Sequence, residues 1–363
     1  MNELTKEQSK TLSLLKGFAI LLVVMIHCDI RKSMGAEPFS TLDMYMQGLT
    51  RVLVINAVPM FFFISGFLFF LKKDTYFSKW KKRFLSLVIP YIIWCVIGFL
   101  IPFFFQQIMG LGHLFKGGEG HLKPIAEFEA WDYIKMFWNI RAGAPILSTL
   151  WFLRNLILLV ALAPAFHFLA SRLKWIFPVL LTVNFLITNW GILCLSSADL
   201  FFFGMGCFTA IQPDGGYLDI PKLAWLLPLW LLTFATDMMA YYYDTFELLA
   251  RNVFIVFDCL LMYKLMRMAV DRWNMDWLMK ISKVSFFIYL FHEPWLGYLQ
   301  GLSFKFIHPS GLVCYLMPWL FLLIGRGLCI YSIYGIKKNM PQITECNDRR
   351  KIESWKKKLT MPF

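Results

Sequence analysis

Long apolar runs alternate with short polar segments along almost the whole chain. A helix needs about 20 apolar residues to cross the hydrocarbon core of a bilayer, and each run is about that long. Helices are expected because lipid offers no partner for an unpaired backbone amide or carbonyl. The pattern therefore predicts an all-α polytopic membrane bundle with about ten transmembrane helices. The predicted spans are 12–30, 52–71, 84–108, 150–170, 174–190, 192–211, 223–241, 247–266, 282–302 and 311–335.

The composition agrees with this pattern. Hydrophobic residues make up 58% of the 363 residues and charged residues 16%, with 37 Phe and 14 Trp. Soluble domains are only about half apolar. The first run carries Lys16 within it and lacks a small-residue cleavage site, so we interpret it as a span and not as a removable signal peptide.

The formal net charge of +13 would suit a nucleic-acid-binding protein, but the basic residues are unevenly distributed. If the N-terminus is cytoplasmic, the segments on that side carry roughly three times as many Lys and Arg as the opposite segments. This positive-inside pattern predicts cytoplasmic termini and no nucleic-acid partner. We divide the chain into a transmembrane domain, 1–336, and a basic cytoplasmic tail, 337–363, that would lie against anionic lipid.

The eight cysteines lie mostly singly within apolar runs. No CxxC motif or His/Cys cluster has the spacing of metal ligands. We therefore expect neither a metal nor a permanently bound cofactor, and interpret the cysteines as small apolar residues of the bundle.

The longest outer segment, 109–149, mixes glycine, histidine and acidic residues. Connections of this length are uncommon unless they have a role of their own. The segment could be a lid or an acceptor-binding loop. The alternative is a solvated loop with a short interfacial helix at 129–138.

Two ionisable residues lie near the ends of the first span. Lys16 and His27 are eleven residues apart, about three helical turns, so their side chains share one face about 16 Å apart along the axis. They cannot touch, but they could line one path from the cytoplasm outward. In the alternative, Lys16 snorkels to the inner interface and His27 lies among the outer headgroups.

The ninth span contains a second polar constellation. Ser285, Tyr289 and His292 recur at helical spacing, so a hydroxyl, a phenol and an imidazole share one face. Glu293 follows directly, and Pro294 disrupts the helical hydrogen bonding there. A carboxylate beside intramembrane imidazoles suits proton transfer or the orientation of a histidine base. The alternative is a polar patch that joins helices.

The second span contains "FFFISGF", in which Ser65 and Gly66 would let a helix or a ligand approach closely. A basic cluster follows before the third span and includes Lys81, Lys82 and Arg83. Such a cluster is either a topology signal or a site for the phosphates of a cytosolic molecule.

Together these motifs resemble the acyltransferase 3 family of integral membrane O-acyltransferases. They are a basic residue and a histidine with ten residues between them in the first span, "FFFISGF" in the second, "LWFL" in the fourth, directly before the intramembrane Arg154, and Ser-xxx-Tyr-xx-His in the ninth. They occur in the family's order over nearly the whole chain. Lys16 stands where arginine is commoner, and the family's paired arginines appear here as Arg83 with Ser86 in place of the second. Lys81 and Lys82 are candidates to substitute.

The resemblance implies transfer of an acyl group, usually acetyl, from cytosolic acyl-CoA to a hydroxyl of an extracytoplasmic or lipid-linked carbohydrate. It also implies a multi-pass protein of the bacterial inner membrane. It leaves open the acceptor, the acyl group and the oligomeric state, a homo-oligomer included.

We assign hypothetical roles to the motif residues on this basis. The catalytic candidates are His27, as general base or transient acyl carrier, with Glu293 or His292 to orient it. The candidates for acyl-CoA binding are Lys16, Lys81, Lys82, Arg83, Ser65 and Gly66. The supporting candidates are Ser285, Tyr289 and Arg154.

Two other classes of protein fit the pattern. A glycan or lipid-intermediate exporter would also need many spans, inward-facing charges and a broken ninth helix, but would not bind acyl-CoA. A non-catalytic acyl-CoA-binding scaffold would leave the two histidines and the glutamate without a purpose.

Overall fold

The computed structural model describes residues 4–71, 74–108, 125–139, 144–212, 221–306 and 311–339. These residues form helices joined by turns, with one isolated β-bridge between Ile192 and Leu195. The α-helices are α1 Lys6–Ile26, α2 Arg31–Met34, α3 Thr41–Leu49, α4 Ala57–Leu71, α5 Tyr76–Arg83, α6 Ile89–Phe103, α7 Ala130–Lys135, α8 Leu150–Ala161, α9 Ala163–Leu173, α10 Ile176–Val183, α11 Ser197–Ile211, α12 Leu223–Tyr243, α13 Glu247–Arg272, α14 Asp276–Phe306 and α15 Leu312–Asn339. Single π-helical turns cover Thr50–Val54, Phe84–Val88, Phe104–Ile108 and Asn184–Thr188, and a 3-10 turn covers Ile125–Glu127.

The all-α membrane bundle is confirmed in its architecture. Five helical segments are long and apolar enough to cross a membrane, or six if α8 and α9 count as one broken span. Helices α8 and α9 meet at an angle of 58°, and Pro164, in the first turn of α9, cannot donate the backbone hydrogen bond that would continue α8. Ten spans and the cytoplasmic position of the termini stay predictions. The tail from residue 340 onward lies outside the described residues.

Two candidate spans begin earlier in the chain than the hydropathy pattern predicted. Helices α3 and α4 form one segment, Thr41–Leu71, and α5 and α6 form another, Tyr76–Gln106. A π-helical turn joins the two helices of each segment, with two further turn residues, Ile55 and Asn56, before α4. The basic residues of α5 are therefore the first turns of a long helix and not a separate connection.

Helix α1 lies at the centre of the bundle, where it packs against α4, α13, α14 and α15. Its first turn is fixed by a capping box, in which Thr5 and Gln8 each accept a hydrogen bond from the other's backbone amide, at 3.1 and 3.0 Å. Gly17 lies against the Leu278 carbonyl of α14, where a Cβ would overlap that oxygen. This close approach aligns α1 with the helix that carries the second polar constellation.

Helices α4 and α11 pack closely against each other at two glycines. Gly66 of α4 lies against the Phe203 carbonyl, and Gly206 of α11 lies against the Phe63 carbonyl, so a Cβ at either glycine would overlap backbone. Small residues allow such approach in membranes, where dispersion contacts drive helix association.

Two buried polar links hold the hairpin of α12 and α13 to the segment formed by α3 and α4. Arg51 donates to the Asp237 carboxylate at 2.5 Å, and both side chains are almost fully buried. Asp258 accepts from the Asn56 amide at 2.6 Å and from the Trp230 indole at 2.8 Å. Most of α12 is apolar and exposed, whereas α13 is buried against α1, so these links add polar specificity to where the hairpin docks.

Candidate functional site

A cavity of about 260 Å³ lies between α1, α4, α8, α14 and the start of the α5–α6 segment. Its wall is mainly apolar, as expected of a small-molecule site inside a helical bundle. Polar side chains interrupt that wall at six positions, which are His27, Ser65, Arg83, Thr149, Ser285 and Tyr289. Trp151, Phe152 and Leu153 of "LWFL" also line it, so the cavity brings together residues from five of the motifs singled out in the sequence.

His27 lies at the C-terminal end of α1, and its ring faces that of His292 on α14. The two ring centroids are 5.0 Å apart and the ring planes cross at 62°. The Gln300 side-chain amide donates to the His27 backbone carbonyl at 2.7 Å, which ties the end of α1 to α14. The end of α1 is therefore fixed where the predicted base meets the ninth predicted span.

His292 is 2% exposed and is anchored on one side of its ring only. Its Nδ1 lies 2.9 Å from the Ile288 carbonyl oxygen, one helical turn back. Because a carbonyl can only accept, Nδ1 carries the hydrogen and Nε2 carries the lone pair of a neutral ring. Nε2 has no hydrogen-bond partner among the described residues. Nε2 of His292 is thus a buried basic nitrogen beside the His27 ring. It can accept a hydrogen bond from His27 or from a ligand.

Glu293 makes no hydrogen bond to His27 and is held instead by the two residues that directly precede α8. Its two carboxylate oxygens accept from the Ser148 hydroxyl at 2.5 Å and from the Thr149 hydroxyl at 2.9 Å. The Tyr289 hydroxyl donates to the Thr149 backbone carbonyl at 2.5 Å. These bonds fasten the polar face of α14 to the start of α8, directly beside the cavity.

Ser148 and Thr149 are site residues that the sequence reasoning missed. They precede the "LWFL" motif directly, but nothing in their spacing indicates a partner on a helix more than a hundred residues away. Their position before an apolar run was the only available signal, and it is shared by many helix-capping hydroxyls.

Arg83, at the end of α5, lines the same cavity as His27. It makes no hydrogen bond or ion pair with any residue that the structure describes, and it is half-buried. It also lines a second, apolar groove between the start of the α5–α6 segment and α8, so it stands where the two spaces meet. An unpaired guanidinium in an apolar wall is costly unless an anion occupies the space beside it.

The neighbouring lysines do not line the cavity. Lys82 pairs with Asp74 at 2.5 Å with a side chain that is 57% exposed, and Lys81 is also exposed. Among the basic residues of α5, the buried one is Lys79, whose ammonium lies 5.1 Å from the centre of the Phe69 ring. The sequence reasoning did not single out Lys79, although its helical spacing from Arg83 puts the two on one side of α5.

Three further predicted residues lie away from the cavity. Lys16 is half-buried on α1 and is not part of the cavity wall. Gly66 faces α11, so its small size serves helix packing at that point. Arg154 is buried, donates to the Asn139 carbonyl at 3.0 Å and shares the Asn155 amide oxygen between two of its nitrogens.

Asn155 links Arg154 to the start of α11. Its side-chain amide donates to Asp199 at 2.7 Å, and Asp199 also caps α11 through the Ser196 backbone amide at 2.9 Å. These residues form a buried polar network, and Leu153 and Leu156 of the same helix α8 line the cavity. The geometry of the network suits a supporting role for Arg154 by holding α8 against α11.

The fold and the cavity define a helical membrane protein whose internal cavity is lined by His27, which faces His292, and by an arginine without a hydrogen-bond or ion-pair partner among the described residues. The chain matches the family model of the acyltransferase domain of the acyltransferase 3 family over residues 10–336, and it belongs to that family. It is therefore a membrane acyltransferase by family. No curated protein and no solved structure matches the chain.

Among the described residues, no group of three or more His, Cys, Asp or Glu side chains could hold a metal ion. Segments 109–124 and 140–143 of the predicted acceptor loop lie outside those residues. The part that the structure does describe includes α7, which falls within the predicted interfacial helix at 129–138.

Proposed function

We propose that the protein transfers an acyl group, acetyl first of all, from cytosolic acyl-CoA to a hydroxyl of an extracytoplasmic or lipid-linked carbohydrate. The observation that supports this most directly is a single cavity lined by both Arg83 and His27. Arg83 offers the cation that a phosphate needs, and His27 offers the base that a hydroxyl needs. The inner cell membrane, with the Arg83 end toward the cytoplasm, follows from the same proposal.

In this proposal the phosphates of acyl-CoA rest at Arg83, and the pantetheine arm runs along α1 to His27. Ser65 and Ser285 lie on the cavity wall between apolar side chains, where they can bond the amides of the arm. Lys16 is not part of the wall, so the proposal assigns the donor phosphates to Arg83 and not to Lys16.

At the far end, a neutral His27 takes the proton of the acceptor hydroxyl as its oxygen attacks the thioester carbonyl. The carbon–sulfur bond breaks, and the departing CoA thiolate takes the proton back from the His27 imidazolium. An ester and a free thiol result, and the histidine is restored. His292, through its basic Nε2, orients a hydrogen of His27, and Glu293 holds α14 in place by its bonds to Ser148 and Thr149.

A second route passes through a covalent intermediate. His27 attacks the thioester carbonyl through its lone-pair nitrogen, the carbon–sulfur bond breaks, and the CoA thiolate takes the proton that the acylated ring gives up. The acceptor hydroxyl then attacks the acyl-imidazole, its proton passes to the imidazole as the carbon–nitrogen bond breaks, and an ester and neutral His27 result. The two routes differ in one observable, because only the second acylates the protein when acceptor is withheld.

The decisive experiment uses purified protein in proteoliposomes, with radiolabelled acetyl-CoA supplied to the face that carries α5. Wild type should release CoA and transfer label to an added glycan acceptor, and His27→Ala should lower turnover about 10²–10⁴-fold. Thermal melting in detergent would verify that the variant is folded. Wild-type turnover in folded His27→Ala would refute the assignment of the base. No transfer by wild type from acetyl-CoA or succinyl-CoA would refute acyl transfer and favour an exporter.

A further inference from the structure

One face of α5 carries cationic and aromatic side chains. It runs from Arg83 in the cavity wall to Tyr76 at the start of the helix. Tyr76, Lys79 and Arg83 are spaced three and four residues apart, so they lie on one side of the helix within about 60°. Lys79 is 9% exposed, and its ammonium lies 5.1 Å from the Phe69 ring centre and 5.5 Å from that of Tyr76. This face starts at Arg83 in the cavity wall and ends about 10 Å away at Tyr76.

The exposed imidazole of His167 lies against the Tyr76 end of this face. His167 of α9 has its ring centroid 6.2 Å from that of Tyr76, with the planes at 69°, and 6.2 Å from that of Phe70, with the planes at 12°. The His167 side chain is exposed and makes no hydrogen bond to any described residue. One face of an aromatic ring is thus open beside a row of positive charge.

We propose that this cluster, formed by Tyr76, Lys79 and His167, binds the adenosine end of acyl-CoA. Adenine stacks on the open ring of His167 against Tyr76, and the diphosphate reaches from there to Arg83, with Lys79 adding positive potential along the way. The subsite rests on the proposed function, since it places the far end of the donor whose thioester lies at His27.

Physical reasons favour a nucleoside over other occupants. Every base has a π-face, so aromatic side chains bind bases by stacking, and cations beside the stack attract the linked phosphates. The distance along α5 from Tyr76 to Arg83 is about 10 Å, which is the scale of an extended nucleoside diphosphate. A lipid headgroup would use the charge but not the open ring, and would give no preference for CoA over phosphopantetheine.

The test compares two donors that differ only in the adenosine end, acetyl-CoA and acetyl-phosphopantetheine. His167→Ala and Tyr76→Leu should each raise KM for acetyl-CoA about tenfold or more, the size of one lost stacking contact. KM for acetyl-phosphopantetheine and kcat for both donors should stay at the wild-type values. His167→Phe, which keeps a ring, should restore the acetyl-CoA value. Phe168→Ala, a change at an exposed aromatic next to His167, should affect neither donor.

Equal changes in KM for both donors, or no change for either, would overturn the subsite. Direct binding separates this outcome from a failure of the proposed function. If wild type binds CoA but transfers no acyl group, acyl transfer fails, and the Kd of CoA against phosphopantetheine for the same variants decides the subsite. If wild type binds neither molecule, both proposals fail.

Discussion

The imidazole rings of His27 and His292 lie 5.0 Å apart, although one residue ends the first helix and the other lies in the second-last helix that the structure describes. The His292 ring is fixed by the Ile288 carbonyl at Nδ1 and has its Nε2 unpartnered and buried. A hydrogen on His27, or on a hydroxyl placed between the two rings, therefore has a fixed acceptor. This arrangement aligns the base before substrate arrives, which is how positioned groups lower a reaction barrier.

The first prediction concerns that acceptor. His292→Asn can still donate to the Ile288 carbonyl but has no basic nitrogen at the Nε2 position, so it should fold and lose about a hundredfold in kcat. The KM for acetyl-CoA should change little, because His292 does not line the donor end of the cavity. Steady-state kinetics in proteoliposomes measure both values.

If His292 has only a structural role, the variants should differ in stability and not in kcat. In that case His292→Asn would keep kcat near wild type, because the helical bond to Ile288 is retained, and His292→Ala would lower the melting temperature. Loss of activity with an unchanged melting temperature in His292→Asn therefore distinguishes the two roles.

The second prediction concerns the carboxylate of Glu293. Glu293→Ala removes the acceptor for two hydroxyls, Ser148 and Thr149, and should destabilise the protein by about 1–3 kcal/mol. Glu293→Gln keeps one oxygen as an acceptor, and a hydroxyl can rotate to accept from its amide, so it should melt close to wild type. Thermal unfolding in one detergent compares the three proteins. Equal losses for Ala and Gln would show that the charge, and not the hydrogen bonding, stabilises this contact.

The third prediction tests the packing role of Gly66. A Cβ at this position would overlap the Phe203 carbonyl, and a helix backbone cannot yield cheaply there. Gly66→Ala should therefore cost about 1–3 kcal/mol and lower the melting temperature. Gly297→Ala on α14 is the matched control, since nothing lies within 4 Å of its added methyl group. If Gly66→Ala melts like Gly297→Ala, the glycine does not serve the contact between α4 and α11.

Hydrophobic patterning predicted the fold class because the bilayer leaves a chain few options. Apolar runs of spanning length must be helical, and short polar segments must be turns. Patterning did not predict that α5 and α6 form one long helix, because the basic residues of α5 resemble a loop in hydropathy. Hydropathy also did not predict the 58° bend between α8 and α9. Pro164 interrupts the helical hydrogen bonding there, but the apolar run continues beyond it.

Periodicity placed His27 on one face of its helix and Ser285, Tyr289 and His292 on one face of theirs. It could not say that these faces meet, because nothing local encodes which helices are neighbours. The same limit hid Ser148, whose role depends on a partner far along the chain.

The positive charges of α5 did not by themselves indicate which of its side chains face the interior of the bundle. Lys81 and Lys82 look equivalent to Arg83 in sequence, yet they point to the exposed side of α5, and Lys79 occupies the buried side. A helical wheel of α5 alone would show the two sides, but not which one faces the bundle. Packing against α8 decides that.

The fourth prediction concerns the donor end. Arg83→Ala should raise KM for acetyl-CoA about 10–100-fold, the usual effect of losing one charged hydrogen-bonding group, with little change in kcat. Arg83→Lys should recover part of this loss, since a lysine supplies charge without the planar fork. Arg272→Ala, at an exposed arginine at the end of α13, is the matched control and should keep wild-type kinetics. A fall in kcat at unchanged KM would place Arg83 in the chemistry instead of the donor site.

The last prediction concerns the buried ion pair of Arg51 and Asp237, which docks the hairpin of α12 and α13. Asp237→Ala removes the nearer of the two described carboxylates that pair with the buried Arg51 guanidinium and leaves it with Glu247 at 3.5 Å, so the change should cost about 3 kcal/mol. The double change Arg51→Leu with Asp237→Leu removes both charges together and should be far closer to wild type, because apolar residues of similar volume often replace a buried pair without loss. A double-mutant cycle in thermal unfolding measures the coupling between the two positions. Activity in the double variant should follow its stability, because neither residue lines the cavity. If the double variant is as unstable as Asp237→Ala, apolar residues cannot replace the ion pair. The pair itself would then be needed to dock the hairpin.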